Sequence, residues 1–163
     1  MLPSTGGQAR RVADVVDETR AAVARSAVEG ITLLGGEPLA HAGGAAALAR
    51  PVRQLGLTVM VFGGYTVEEA LRLPDSAVAD LQAHTDILVD GPYLREQPEA
   101  RRRWIGSANQ RIHFLSDRYR ADDPRWLLPN TLEIRLRGPD KGQIVLGFAS
   151  NDDFERLLEV LRR

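Results

Sequence analysis

An α/β fold built on a parallel sheet is predicted by three features of the sequence. Short apolar runs end on glycine, helical periods lie between them, and the length suits one domain. The runs in "EGITLLGG", "LTVMVFGG" and "TDILVDGPY" are too short for helices and read as strands covered on both faces. Strands alternating with helices imply right-handed crossovers and a parallel sheet. A chain of 163 residues, 44% hydrophobic, can bury a single core, so residues 1–163 are taken as one domain.

Each element has its own warrant. Residues 9–26 place Val12, Val15, Val16, Thr19, Ala22 and Val23 on one helical stripe, with Asp14, Asp17, Glu18, Arg20 and Arg25 elsewhere on the wheel. The first strand follows, and then "GGAAALARPVRQLG" reads as a helix of small residues with Pro51 inside it and Gly56 as its stop. After the second strand, "YTVEEALRLPDSAVADLQAH" holds one or two short helices, the first capped by Thr66 with Glu69 in a capping box. Beyond the third strand the alternation fades. Residues 95–130 are rich in Arg, Pro, Asp and Trp and are expected to be mostly loop around one apolar piece, "RIHFL". Leu132, Ile134 and Leu136 then alternate with charges, the chain turns at "GPDKG" and returns through Ile144, Leu146 and Phe148, a β-hairpin with one wet face. "NDDFERLLEVLRR" closes as a helix capped by Asn151 or Asp152, with Phe154, Leu157, Leu158 and Leu161 on its buried stripe. Residues 131–163 thus form a C-terminal hairpin plus helix.

Composition excludes several functions. The formal net charge of −1 asks for neither nucleic acid nor an anionic membrane as partner. No apolar run is long enough to span a bilayer, and the start "MLPSTGGQARRV" has no leader-like apolar core, so a cytoplasmic protein is expected. Cysteine is absent, which removes disulfides, thiolate nucleophiles and Cys-based metal sites from this chain. His41, His84 and His113 are scattered and pair in no ligand spacing, so neither metal ligands nor catalytic residues are assigned.

In a parallel sheet the C-terminal strand ends open on one side, where ligands bind. Three polar ends therefore converge: Gly35, Gly36 and Glu37; Gly63, Gly64, Tyr65 and Thr66; and Asp90, Gly91, Pro92 and Tyr93. Glycines after a buried strand let backbone approach a ligand closely. Backbone carbonyls with Glu37 make an acceptor-rich ledge, suited to an ammonium and poorly suited to phosphate. A plainer reading remains open, in which the glycines only turn the chain and Glu37 caps the helix behind Pro38. No phosphate-cradling Gly-Lys-Ser/Thr follows.

The tetrapeptide "GGEP" at a strand end resembles the cofactor motif of radical S-adenosylmethionine enzymes. "VEGITLLGGEPL", "GLTVMVFGGYTVEEAL", "TDILVDGPYL" and "WIGSANQRI" follow one another in the order and approximate spacing of glycyl-radical-activating enzymes. Closest are the activases of anaerobic ribonucleotide reductase and of pyruvate formate-lyase. The match spans roughly residues 6 to 115, with 9–115 as the core-like region. It implies a partial (β/α) barrel of radical S-adenosylmethionine type missing its first strand. It also implies a reaction in which S-adenosylmethionine and a 4Fe-4S cluster generate a glycyl radical on a partner protein, fed by a low-potential electron donor. By the same resemblance Gly35, Gly36 and Glu37 receive the cofactor's amino group, and Gly64, Tyr65 and Thr66 lie near it. Asp90 orders the site or bonds a cofactor hydroxyl, while Asn109, Gln110 and Arg111 match the subgroup's Ser-Asn-Gln-Arg segment, with Ala108 in place of the serine.

One departure is decisive. The family holds its cluster on a Cys-x3-Cys-x2-Cys loop, and this chain has no cysteine. No other residue here supplies thiolates for a low-potential cluster. The chain as given is therefore expected to be inactive in the family reaction. Two readings follow: an activase whose true start lies upstream, or a cluster-free module that binds S-adenosylmethionine or a protein. Such a module would need a partner or a homodimer to cover the open sheet edge.

Overall fold

The structure is a computed structural model that describes residues 8–73, 77–99, 101–126, 132–137, 143–148 and 156–160. The first helix, α1, spans Val12–Arg25. Its stripe is lightly covered: Val16 is buried, while Val23, expected inside, is exposed. Strand β1, Gly30–Leu33, leads through a turn into α2, Ala42–Gln54, against which α1 packs. The second helix runs through Pro51 and stops at Gly56, whose φ of 81° ends it in the left-handed region. Strand β2 is Thr58–Phe62. Two short helices follow, α3 at Val67–Ala70 and α4 at Ala77–Ala83, and the predicted capping box at Thr66 is present. Strand β3 is Ile87–Asp90.

The three strands pair in parallel in the order β1-β2-β3, with Val59 opposite Ile31 and Val61 opposite Leu88. A fourth strand, β4 at Arg111–Phe114, adds antiparallel to β3. The segment expected to be mostly loop therefore supplies a sheet strand from its apolar piece, then a 3-10 turn at Pro124–Trp126. Two further strands, β5 at Leu132–Arg137 and β6 at Gln143–Phe148, pair antiparallel as the predicted hairpin, and residues 156–160 are helical. The turn at "GPDKG", the caps Asn151 or Asp152, and Phe154 and Leu161 lie outside the described residues.

The core sits between the sheet and helices α2, α3 and α4. Ala42, Ala46, Ala49 and Val52 of α2 meet Val59, Val61 and Leu88 of the sheet and Val78 and Leu81 of α4. Small residues on α2 let it lie close to the strands, and burying a side chain such as Leu81 contributes about 2 kcal/mol. Strand period places Thr58, Met60 and Ile87 on the face opposite Val59, Val61 and Leu88.

Residues 115–120 run beneath the strand starts as a strap. Leu115 N–H donates to Asp86 O (2.8 Å) and Ser116 Oγ to the Asp86 carboxylate, ahead of β3. Arg118 Nη1 donates to Gly56 O at 2.6 Å and Leu57 O at 3.2 Å, ahead of β2. The Tyr119 hydroxyl donates to Glu29 Oε1 at 2.6 Å and sits 3.0 Å from Thr58 Oγ1, at the starts of β1 and β2. One end of the sheet is thereby sealed, and the other is left to loops.

Candidate functional site

The open end gathers every segment singled out above. Because β4 runs antiparallel, its first residue, Arg111, stands at the same edge as the last residues of β1, β2 and β3. Gly35 and Gly36 hold φ of 89° and 60°, and a Cβ on either would meet nothing within 4 Å. Their backbone is open to a ligand. The Glu37 carboxylate is held from two sides: Oε1 accepts from Leu39 N–H (3.1 Å) and Oε2 from Gly64 N–H (2.7 Å). Its backbone oxygen accepts from Ala40 and His41, starting the turn into α2. Glu37 thus closes its own turn and also locks the ends of β1 and β2 together. A Cβ at Gly64 would come within 2.8 Å of Glu37 Oε2, so this approach needs glycine.

Tyr65 packs half-buried against the core, and its carbonyl accepts from Gly91 N–H at 3.0 Å. Thr66 Oγ1 accepts from Glu69 N–H (3.2 Å), while Glu69 Oε2 accepts from Thr66 N–H (2.8 Å). Asp90 is fully buried. Its Oδ2 accepts from Val67 N–H at 2.8 Å, and Arg111 binds both its oxygens, with Nε 3.0 Å from Oδ1. The same guanidinium grips Glu68, Nη2 to Oε2 at 2.7 Å and Nη1 to Oε1 at 3.2 Å. Arg111 is a rivet through α3, β3 and β4. His113 Nε2 stands 3.1 Å from Asp90 Oδ1, outside hydrogen-bond geometry.

Asn109 and Gln110 fasten the loop after β3. Asn109 Nδ2 donates to Pro92 O at 2.8 Å, and Gln110 Nε2 to Gly91 O at 3.1 Å. Gln110 Oε1 accepts from Gly106 and Ser107 N–H. Asn109 Oδ1 is buried with no hydrogen-bond partner among the described residues. Its amide cannot turn over to find one, since Nδ2 is pinned by Pro92 O.

The electrostatics follow from these bonds. Arg111, helped by a backbone bond, holds the Glu68 carboxyl down at about 2. Burial opposes ionisation of Asp90, yet Arg111, the Val67 N–H and His113 together outweigh it and lower its pKa. Asp90 and Glu68 in turn raise that of Arg111. The N–H of Arg101 and the side chain of Arg102 hold Glu99 at about 2.

Sequence reasoning missed Glu68, Ser107 and Asp86. The run "TVEEA" does offer two acids where a capping box uses one. Ser107 is fully buried, and its Oγ accepts from Leu94 N–H at 3.0 Å. Asp86 is fully buried at the start of β3, with Oδ1 2.5 Å from Arg53 Nη1 and Oδ2 2.8 Å from Val59 N. Both show themselves only through partners remote in sequence.

The open edge fits a ligand rich in donors. Open glycine backbone, the fixed Glu37 carboxylate and the orphaned Asn109 Oδ1 are all features that receive or admit N–H and O–H groups. The same edge does not fit an iron-sulfur cluster: the chain has no cysteine, and no group of three His, Cys, Asp or Glu able to hold a metal occurs among the described residues. No helix of the described residues is long and apolar enough to cross a membrane.

Residues 4–113 match a family described as a 4Fe-4S single cluster domain. Two curated relatives carry the name anaerobic ribonucleoside-triphosphate reductase-activating protein. The one from Vibrio cholerae serotype O1 is 36% identical over 89 residues, covering 52% of this chain and 54% of that protein. The one from Haemophilus influenzae is 32% identical over 90 residues, covering 52% and 55%. The chain spans about half the length of the curated relatives it matches. No solved structure shows a significant match. A family match over most of the chain, with the strand-end motifs inside it, places this protein in the 4Fe-4S single cluster domain family.

Proposed function

We propose that this chain is the S-adenosylmethionine-binding part of a glycyl-radical activase, its sheet being a partial (β/α) barrel closed towards the C-terminus by the hairpin and helix. The observation that carries the reading is the Glu37 carboxylate, fixed between Leu39 and Gly64 beside two open left-handed glycines. Gly35, Gly36 and Glu37 receive the cofactor's ammonium, and Asn109 Oδ1 accepts from it or from a ribose hydroxyl. Tyr65, Thr66, Asp90, Gln110 and Arg111 hold the ledge in place and do not touch the cofactor. Bound there, S-adenosylmethionine supplies the group that abstracts hydrogen from a glycine of the partner, of the anaerobic ribonucleotide reductase kind named by the relatives. Thiolates to hold a cluster, and the electron that a reduced cluster would supply, come from outside these 163 residues, and alone the chain does not cleave the cofactor.

Calorimetry with S-adenosylmethionine tests the site. Glu37→Gln keeps an acceptor for one backbone N–H but removes the charge and the second acceptor, and is expected to weaken binding about tenfold while costing about 1 kcal/mol of stability, so that the protein stays folded at the temperature of the titration. Equal heats for both proteins would overturn the assignment. Anaerobic reconstitution of the chain with iron and sulfide is expected to give no iron-sulfur chromophore, and a stoichiometric cluster would refute its inactivity. A second reading, a module without redox chemistry, is favoured by the missing cysteines. It predicts that S-adenosylmethionine binds this chain and that no cluster-bearing partner restores cleavage.

A further inference from the structure

One cavity lies away from the glycine edge. About 390 Å³ lies over the first halves of β1 and β2, within the range of small-molecule sites. Both tryptophans of the chain line it. Trp104 and Trp126 meet edge to face with centroids 4.6 Å apart, and Tyr119 continues the wall 5.7 Å from Trp126. Charges of opposite sign also line the cavity. The Glu29 carboxylate is steadied by the Tyr119 hydroxyl, and the Arg103 guanidinium lies over the Trp104 ring, 4.7 Å from its centroid.

The presentation of Trp104 is built. Its φ of 60° is the one positive value for a non-glycine among the described residues, a conformation a bulky side chain adopts only where its surroundings impose it. Those surroundings are visible. Arg102 donates to Ala108 O (2.8 Å) and Gln110 O (3.0 Å), and Glu99 holds Arg102 Nε at 2.9 Å and Arg101 N at 2.7 Å. The loop tip is clamped so that an indole faces the sheet.

We propose that this cavity is a nucleotide site, distinct from the strand-end site of the proposed function and independent of it. A planar base stacks on the indole wall, an interaction that every base supports. Its exocyclic amine donates to Glu29, and its phosphate pairs with Arg103, whose planar fork matches phosphate oxygens. A neutral aromatic ligand would make no use of the Arg103 guanidinium.

Because both tryptophans line the cavity, intrinsic fluorescence reports on this place. Titration with AMP is expected to give saturable quenching, adenosine weaker quenching, and inorganic phosphate none. Arg103→Ala is expected to weaken AMP about tenfold and leave adenosine unchanged, while Trp104→Leu removes the response to both. Glu37→Gln, which weakens S-adenosylmethionine, is expected to leave AMP untouched, so either site can fail without the other. No saturable quenching by AMP at millimolar concentration, or equal AMP affinity in wild type and Arg103→Ala, would overturn the proposal.

Discussion

Asp86 and Asp90 bound a single strand and are both fully buried, one holding the sealed end of the sheet and the other the open end. Burial alone would push a carboxylate towards its neutral form. At Asp90 the Arg111 fork and the Val67 N–H, with His113 nearby, win that contest, so the charge stays and acts as glue between α3, β3 and β4. Asp90→Asn is expected to destabilise the protein by about 1–3 kcal/mol, read from urea unfolding, because the Arg111 fork then loses its ionic partner. The sign of the pH dependence follows. Glu68 and Glu99 titrate at about 2 when folded against an ordinary 4.5, and Asp90 shifts the same way. Their contribution is complete above the ordinary carboxylate range and is lost as pH falls through the lowered folded values. Thermal melts should therefore show stability falling between about pH 4.5 and pH 2; a flat profile there would contradict the three depressed carboxyls.

Among elements, α3 shows how far local pattern carries. Thr66 with Glu69 was readable as a capping box because the signal occupies four residues, and the structure contains both of its bonds. Thr66→Ala is expected to cost about 1 kcal/mol and to speed amide exchange at Glu69, whose N–H its hydroxyl accepts from, measured by hydrogen exchange; unchanged exchange there would mean the helix start is held from β3 alone, through Val67 and Asp90. Strands β1 to β3 and helices α1 and α2 were legible within a few residues for the same reason, each having its own period and all but α1 a glycine stop. Strand β4 was visible only as an apolar piece. Its place beside β3 depends on Arg111 finding Asp90 across 21 residues and Glu68 across 43. The glycines and Glu37 were singled out correctly as a converging edge, but nothing local revealed that Gly64 would lean on the Glu37 carboxylate.

At the scale of the whole molecule the two ends of the sheet are made differently. The end with glycines is joined by backbone turns and ionic rivets, and it leaves a ledge open. The other end is closed by residues 115–120, whose bonds reach back 30 residues to Asp86, 62 to Gly56 and 90 to Glu29. Contacts of such separation form late, since loop closure precedes their reward. During synthesis, then, the parallel strands emerge in order yet remain unsealed until Tyr119 has left the ribosome. A nascent chain arrested before the strap should be sensitive to protease and prone to associate through its exposed strand starts, and one arrested after Trp126, once that residue is clear of the tunnel, should resist. Tyr119 is thus a timing residue: the first half of the chain becomes committed to its shape only when a single hydroxyl from the last third arrives.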